Sequence, residues 1–508
     1  MAWRGVAAGV GVALALMGGV AQAESPAAKV RAWRQANEKA IVGDFIKLLS
    51  MPNVATNVPD IEANAAYLQA QLKARGFATQ LLTAEPGTPP SVFGELKTPG
   101  ARRTVVFYAH YDGQPIGQKG WVTPPFQPAV RTALPEAKAI DWQAAGALDP
   151  AWRVYARSAG DDKGSVQAML SALDALKAIG RKPTVNIKIL WEGEEEQGSP
   201  HFAALVTKHK ETLKGDVLIM GDGPMHQSGK QMINFGNRGI VGFKTTVYGP
   251  LKPLHDGHYG SWAPSPTVMI ASLVTSLRTD DGKILIPGFA DEVSPVSEAE
   301  KAALAALPPI EPELKQAMGL GRNIGGPRLA DGYLAPTLNV RAIHGGDTGP
   351  DAANAISTEA EASFDIRLAP GMTPAVVHRK VEDYLKGQGW TIVRDTPDLA
   401  TRLANPKIVR LNWDEGESTA TKTAMDGPAA AAVAASIGRT VGYPVLKLPI
   451  VGASSGMAEI VGTLQAPMVG VSIANYDDNQ HAVNENLTLG ALFGGIEVYA
   501  GLLSDLTW

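Results

Sequence analysis

Acidic and imidazole side chains stand where several apolar segments of this sequence end. His110 and Asp112 form an H-x-D pair directly after "VVFYA", the acidic run "EGEEE" follows "ILW", and Asp222 follows "DVLIMG". Asp161 and Asp162 precede a helical pattern. Residues of these types bind metal ions or transfer protons, so the pattern indicates a catalytic centre.

So many carboxylates in one pocket would raise each other's pKa values unless cations neutralised them. His481, in "NYDDNQHAVNENL", is a further candidate ligand, and the chain contains no Cys, so metal ligands must be His, Asp or Glu. One His and one carboxylate for each of two metals, with one shared carboxylate, form a site that polarises a carbonyl and activates water. An extra Glu beside a ligand can then act as general base.

Simpler alternatives exist for the individual residues. Asp161 or Asp162 can be the N-cap of the following helix, and the acidic run can be a solvated loop. The occurrence of all these residues together favours the metal site over either alternative.

Periodicity predicts the elements that must position these residues. Buried strands are expected at "TVVFYAHYDG", "TVNIKILWEGEE" and "DVLIM", and a helix at "DDKGSVQAMLSALDALKAIG". Alternating strands and helices predict an α/β domain with a mostly parallel sheet, whose strand ends meet at one edge. From about Gly239 the pattern becomes α+β, with alternating β segments at "GIVGFKTTVYG", "TLNVRAIHGG" and "EASFDIRLAPG". The α/β pattern returns near "GPAAAAVAASIG".

At 508 residues the chain exceeds the usual size of a single core. We therefore predict a catalytic domain in two parts, residues 24–239 and 416–508, interrupted by an inserted α+β domain over residues 240–415. An extra segment, residues 132–151, lies between the H-x-D strand and Asp161, and we expect it to shape the pocket entrance.

The first 23 residues have the layout of a cleaved secretory signal, with an early Arg4, an apolar run and a small-x-small "AQA". A retained membrane anchor is the alternative. Export without any Cys suits a bacterial periplasm, so we expect a periplasmic or secreted protein that is free of the membrane after cleavage. A net charge of −4 without a dense Lys/Arg block argues against a nucleic-acid partner and favours a small molecule or peptide.

The patterns "AHYDGQP", "RSAGDDKG", "EGEEEQGS", "MGDG" and "HAVNENL" resemble, in order and approximate spacing, those of the M20 family of metallopeptidases. The stretch "ILIPGFADEVSPVSEAEK" most resembles the carnosinase-like dipeptidase branch. The resemblance implies an α/β di-metal hydrolase domain, with a mostly parallel sheet flanked by helices, interrupted by an α+β lid and dimerisation domain. It also implies a homodimer.

Carried over residue by residue, the resemblance implies that Asp161 bridges two metals. His110 and Asp222 would be the other ligands of one metal, and Glu196 and His481 those of the second metal.

The same resemblance gives Asp112 the role of orienting His110, and Glu195 that of general base. Glu192 and Glu194 receive no direct role, and we expect them to be supporting or solvated.

For the substrate, the resemblance implies that His255 reaches a neighbouring subunit's site and stabilises the oxyanion. Asn354, Arg367 and Ser455 match substrate-binding positions, and a guanidinium suits a peptide carboxylate.

The sequence therefore predicts an exported peptidase that uses two divalent ions, zinc or alternatively manganese or cobalt, to cleave dipeptides or short peptides with a free C-terminal carboxylate. An N-acyl amino acid deacylase of the same fold is an alternative. Another is a serine hydrolase, since "GASSG" fits G-x-S-x-G, with Ser454, His481 and Asp477 or Asp478. A non-catalytic binding protein is the third.

Overall fold

A computed structural model describes residues 25–117, 119–326, 328–454 and 457–508, apart from the side chains of Asp351 and Glu459. The predicted signal segment, residues 1–23, and the predicted substrate-binding residue Ser455 lie outside the described residues.

The helices, in chain order, are α1 (Pro26–Leu49), α2 (Val58–Ala74), α3 (Lys163–Ala178), α4 (Phe202–Lys208), α5 (Lys210–Leu213), α6 (Asp256–Tyr259), α7 (Pro266–Leu277), α8 (Glu298–Ala306), α9 (Glu311–Ala317), α10 (Pro374–Gly387), α11 (Leu399–Ala404), α12 (Pro428–Val441), α13 (Met457–Leu464) and α14 (Leu489–Asp505). Short 3₁₀ turns occupy Glu195–Gln197, Ala330–Leu334 and Gly349–Asp351.

The strands are β1 (Ala78–Leu82), β2 (Ser91–Leu96), β3 (Thr104–His110), β4 (Ala129–Arg131), β5 (Arg153–Tyr155), β6 (Asn186–Glu192), β7 (Val217–Met220), β8 (Met232–Asn234), β9 (Gly239–Tyr248), β10 (Leu254–His255), β11 (Thr337–His344), β12 (Ala355–Ile356), β13 (Glu359–Leu368), β14 (Thr391–Val393), β15 (Ile408–Trp413), β16 (Leu446–Leu448), β17 (Met468–Gly470) and β18 (Asn486–Thr488).

A central eight-stranded sheet has the order β1-β2-β6-β3-β7-β17-β8-β16. Its middle strands β6, β3, β7 and β17 run parallel, while β1, β2 and β8 contribute antiparallel pairings. The predicted strands at "TVVFYAHYDG", "TVNIKILWEGEE" and "DVLIM" form β3, β6 and β7, so these predictions are confirmed. The sequences of these strands are largely apolar because helices cover the sheet on both faces.

Alternate residues of β3 show the two layers. Val105 and Phe107 belong to the large core formed with α1, α3, α12 and α14, whereas Val106 and Tyr108 belong to a second core under α4 and α13. Burial on both faces fixes the register of the strand, because a shift by one residue would exchange every contact. The carboxyl ends of the central strands are therefore held rigidly along one edge.

A second sheet has five strands in the order β11-β13-β9-β15-β14 and lies within the α+β part of the chain. Its pairings are antiparallel except for β14 with β15, and α7 and α10 cover one face through residues such as Leu273 and Val381. We call this sheet with its helices the lid domain. Its edge strand β11 is largely exposed over its second half.

A small sheet, β18-β5-β4, ties the chain before Asp161 to the chain after His481. Between β4 and β5 runs the extra segment, residues 132–151. Ile140 and Trp142 of this segment pack on the large core, and the Gln143 carbonyl accepts a hydrogen bond from Lys39 on α1. Its role at the pocket entrance stays a prediction. None of its residues lines the two cavities of the site described below.

In the part of the chain that the structure describes, no helix combines the length and the apolar character needed to cross a bilayer.

Candidate active site

Most residues of the candidate site lie at or just after the carboxyl ends of the parallel strands. β3 ends at His110, β6 ends at Glu192 just before the acidic run, and β7 ends at Met220, two residues before Asp222. Because β3 pairs in parallel with both β6 and β7, the three chains leave the sheet at the same edge. The loop after β17 brings His481 to this edge from the C-terminal part.

Four of the predicted ligands are linked by a chain of side-chain contacts. His110 Nε2 lies 2.7 Å from Asp161 Oδ1, and His481 Nε2 lies 3.1 Å from Asp161 Oδ2 and 3.2 Å from Glu196 Oε2. Ligand atoms of His110, Asp161 and Glu196 all fall within 4.8 Å of one another. Asp161 thus stands between the two histidines, with one carboxylate oxygen toward each.

Asp222, the fifth predicted ligand, is buried against the same cluster. Burial first, and then the charges of Asp161 and Glu196, raise the pKa of Asp222 to about 7. Its Oδ1 is buried without a hydrogen-bond partner. For Asp161, burial alone would raise the pKa, but the neighbouring His110 and His481 hold it below its ordinary value.

The donor set fits divalent cations. Two imidazoles and three carboxylates converge, and the oxygen of Asp222 without a partner marks a place where positive charge is lacking. Nitrogen and oxygen donors of this kind suit zinc, manganese and cobalt alike.

Asp112 connects three parts of this cluster. Its Oδ1 accepts a hydrogen bond from the Glu195 backbone at 3.1 Å, and its Oδ2 accepts one from the Glu196 backbone at 2.9 Å. Oδ1 also lies 3.4 Å from His110 Nδ1. A single buried carboxylate therefore holds both the imidazole and the 3₁₀ turn that carries the two glutamates.

Glu195 lines both cavities at the cluster, and its side chain makes no hydrogen bond with a described residue. Burial, followed by the negative charges of Asp222 and Glu192, raises its pKa well above the ordinary value of a carboxyl group. A carboxylate with raised basicity beside a metal cluster suits proton transfer.

The acidic run is not a solvated loop, whereas Asp162 does occupy the N-cap position of α3. Glu192 is fully buried and accepts a hydrogen bond from the Tyr108 hydroxyl at 2.7 Å, and Glu194 is 5% exposed and bonds the His201 ring at 2.8 Å. Both are supporting groups rather than solvated ones. Asp162 is the N-cap residue of α3 but its carboxylate makes no capping hydrogen bond, while that of Asp161 is directed to the histidines.

Two cavities meet at the cluster. An outer cleft of about 750 Å³ extends between the turn at residues 197–203 and the chain at residues 415–418, which leads out of the lid domain. An inner cavity of about 200 Å³ extends behind Asp222. Glu195, Ser454 and His481 line both, so the cavities join beside the proposed base. A third cavity, about 630 Å³ between α12 and α14, contains none of the cluster residues.

The lid domain brings His255 and Asn354 together but away from these cavities. β10 pairs with β12, which places His255 opposite Ala355 and next to Asn354. The His255 side chain is 59% exposed, and neither residue lines the outer cleft or the inner cavity. Arg367 does reach the junction, where its Nη1 donates to Ser454 Oγ at 2.9 Å.

The geometry does not support a serine nucleophile at Ser454. Its hydroxyl donates to the Gly239 carbonyl and accepts from Arg367. His481, the base such a triad needs, is directed at Asp161 and Glu196, and it makes no hydrogen bond with Ser454 in the described structure.

Sequence reasoning missed two residues that support the cluster. Glu485 is buried and accepts hydrogen bonds from the backbone of Gly160 and of Asp161, both at 3.0 Å, and from the Arg157 side chain at 2.8 Å. Gln114 donates to Glu196 Oε2 at 2.7 Å. Both lie inside the quoted patterns "HAVNENL" and "AHYDGQP", which was the available signal.

An α/β domain that presents a His/Asp/Glu cluster at its strand ends, beneath an inserted lid, has the architecture of a metal-dependent hydrolase. Residues 106–505 match the Peptidase family M20/M25/M40, so the chain belongs to this family and is a peptidase of the metal-dependent class. This confirms the resemblance noted in the sequence.

Three comparisons place the chain within that family. It is 26% identical over 434 residues to the Cys-Gly metallodipeptidase of Schizosaccharomyces pombe, covering 82% of this chain and 83% of the relative. It is 28% identical over 305 residues to the Beta-Ala-His dipeptidase of Rattus norvegicus, covering 59% of this chain and 58% of the relative. The fold is similar to that of an M20 family metallo-carboxypeptidase from Sulfolobus solfataricus, with a TM-score of 0.74 at 24% identity over 92% of this chain and 99% of that one.

Proposed function

We propose that this chain is an exported dipeptidase that uses two divalent metal ions and accepts dipeptides or short peptides with a free C-terminal carboxylate. The observation that carries the proposal is the convergence of His110, Asp161, Glu196 and His481 beside the buried Asp222. The relatives named as dipeptidases support the substrate class.

Asp161 would contribute to both sets of ligands, because its two oxygens face different histidines. His110 and Asp222 would complete one set, and Glu196 and His481 the other. Divalent ions bound there supply Lewis acidity, which polarises the scissile carbonyl and makes water more acidic.

Glu195 acts as the general base. Its carboxylate takes the proton of the attacking water and passes it to the leaving amine, and its burial near Asp222 and Glu192 favours proton uptake. Asp112 fixes the position of Glu195 through the backbone hydrogen bond, so the base and the adjacent ligand Glu196 keep a constant separation.

The substrate half of the site is proposed to need a second copy of the chain. His255 is exposed on the lid domain and lines neither cavity of its own subunit. The lid domain also exposes Trp262 (82%), Val268 (64%) and Ile343 (52%), an apolar surface suited to a homodimer interface. From a partner, His255 would donate a hydrogen bond to the oxyanion, while Arg367 at the junction would hold the substrate carboxylate.

Export is proposed from the sequence of residues 1–23. Protein recovered from the periplasm of an expression host should begin near residue 24. Recovery of the full-length chain in the membrane fraction would contradict this part of the proposal.

The substrate class is tested with metal-loaded protein on three sets of compounds: dipeptides, longer peptides and N-acyl amino acids. Hydrolysis of dipeptides that chelation abolishes and zinc, manganese or cobalt restores is expected. A preference for N-acyl amino acids would identify a deacylase instead. Activity that survives chelation but is lost on Ser454→Ala would contradict the metal-dependent mechanism, and no hydrolysis with any metal would favour a binding protein.

A further inference from the structure

The inner cavity has a composition that can select one substrate side chain, and this inference rests on the proposed function. Since the two cavities join at Glu195 and His481, a dipeptide whose scissile bond lies at the junction must place one end in each cavity. The inner cavity has a volume of about 200 Å³, part of which lies beside the proposed metal ligands Asp161, Asp222 and His481, so it admits at most one small or medium side chain. The outer cleft is much larger and cannot exert the same steric selection.

Asn234, at the end of β8, lines the inner cavity and is only 7% exposed. Its amide makes no hydrogen bond with any residue that the structure describes, although a buried amide normally finds a partner. Two polar residues near it already have hydrogen-bond partners. Asn237 shares hydrogen bonds with Thr421, and the Ser472 hydroxyl donates to the Asp222 carbonyl.

The fold makes room for this amide at Gly470. Gly470 is paired with Asn234 across the sheet, and a Cβ at Gly470 would lie 2.1 Å from Asn234 Nδ2. Any larger residue at that position would displace the amide. The side chain is therefore seated against the sheet backbone rather than free to turn away.

Met220, Met468 and Val451 give this cavity an apolar part, while the proposed ligands Asp161, Asp222 and His481 line another part of it. The Asn234 amide, which makes no hydrogen bond with a described residue, offers a donor and an acceptor that water or a ligand must satisfy. A substrate group that hydrogen-bonds with this amide binds more favourably than an apolar group of the same shape, because the apolar group would leave the amide unpaired.

We propose that the inner cavity is a side-chain subsite in which Asn234 determines specificity, selecting a dipeptide residue with a short hydroxyl or amide side chain. Serine, threonine and asparagine have the required size and hydrogen-bonding groups. Their apolar isosteres fit the same space without satisfying Asn234.

The test uses isosteric pairs of residues, Thr against Val and Asn against Leu, at each position of a glycine dipeptide. For the wild-type enzyme, kcat/KM is expected to favour the polar member by about 10-fold or more at one position. In Asn234→Leu, which keeps the side-chain branching, this ratio is expected to fall toward one while metal content measured by elemental analysis stays at the wild-type level. Asn323→Leu, a change at an exposed asparagine, serves as the control and should keep the wild-type ratio.

Equal rates for both members of each pair in the wild type would overturn the inference, and this comparison does not depend on the folding of any variant. Retention of the polar preference in Asn234→Leu would overturn it as well. Failure of the proposed function has a different result, because the wild type would then hydrolyse no dipeptide of either kind.

Discussion

The candidate site has one half in the α/β domain and one in the lid domain. A single chain assembles the first half, but it does not bring the second half to the cavities. In the α/β domain, the side chains of His110, Asp161 and Glu196 are buried, and their ligand atoms lie within 4.8 Å of one another. In the lid domain, His255 and Asn354 are adjacent but exposed, and neither lines a cavity of the cleft.

This difference follows from the supporting structure. The metal-binding half is held by strand ends buried on both faces and by Asp112, which accepts two backbone hydrogen bonds. His255 is held by a two-stranded pairing and by a hydrogen bond with the Gly257 backbone. The residues of the rigid half are therefore expected to carry out the reaction. The lid half is expected to make activity depend on a partner subunit.

The largest effect is expected in the rigid half, at the proposed base. Glu195→Gln should lower kcat by about 10²–10⁴-fold, because the amide keeps the shape of the side chain but cannot accept the proton of water. Metal content should stay at the wild-type level, which distinguishes loss of the base from loss of the cluster. Near-normal turnover with full metal content would remove Glu195 from the mechanism.

In the lid half, His255→Ala should lower kcat/KM by about 10²–10³-fold, as expected for loss of an oxyanion donor. His258→Ala is the matched control, since its ring lies 4.6 Å from that of His255 and also belongs to the exposed face. If His255 acts from a partner, wild-type activity per chain should fall on dilution below the dimer dissociation constant. A monomer of full activity would contradict the contrast drawn between the halves.

Asp112→Ala should weaken metal binding by about 10–100-fold, because both the imidazole and the turn of Glu195 and Glu196 lose their anchor. Asp216→Ala provides a control on the same sheet, since Asp216 likewise accepts a backbone hydrogen bond, from Thr104, at the opposite edge. Competition with a fluorescent chelator measures the affinity. Equal affinities for the two variants would show that Asp112 does not organise the cluster.

The last prediction concerns stability. Burial, reinforced by the charges of Asp112 and Glu194, raises the pKa of Glu192 from 4.5 to about 8. Between these pH values only the folded state retains the proton, so stability of the metal-free protein should fall as pH rises, by up to about 1.4 kcal/mol per pH unit from this group. Above pH 8 the loss is complete.

Glu192→Gln removes this dependence, so its free energy of unfolding relative to wild type should increase from pH 5 to pH 8. Urea unfolding of chelator-treated protein measures the difference. Glu298→Gln, at an exposed glutamate, should show no such trend. A constant difference between Glu192→Gln and wild type across this range would mean that Glu192 is ionised in the folded protein.

Sequence patterns predicted the elements that carry the rigid half, because β3, β6 and β7 are continuous apolar runs and α3 has helical periodicity. The residue types at the ends of these elements indicated metal binding and proton transfer. The family resemblance assigned each residue its role as metal ligand or general base. The substrate half followed from resemblance alone, and Ser455 lies outside the described residues.

What could not be predicted depends on contacts between distant parts of the chain. The bond between Arg157 and Glu485 joins residues 328 positions apart, and no local pattern identifies it. Burial of Glu192 and Glu194 likewise depends on Tyr108 and His201. The extra segment at residues 132–151 was expected at the pocket entrance because of its place in the sequence, whereas Ile140, Trp142 and Leu148 pack on the large core.

The central claim is that one chain holds two divalent ions that share Asp161. Anomalous diffraction from crystals grown with manganese or zinc tests it most directly. The account predicts two peaks per chain, both in contact with Asp161, one beside His110 and Asp222 and the other beside Glu196 and His481. A single peak, or peaks that do not contact Asp161, would contradict the account.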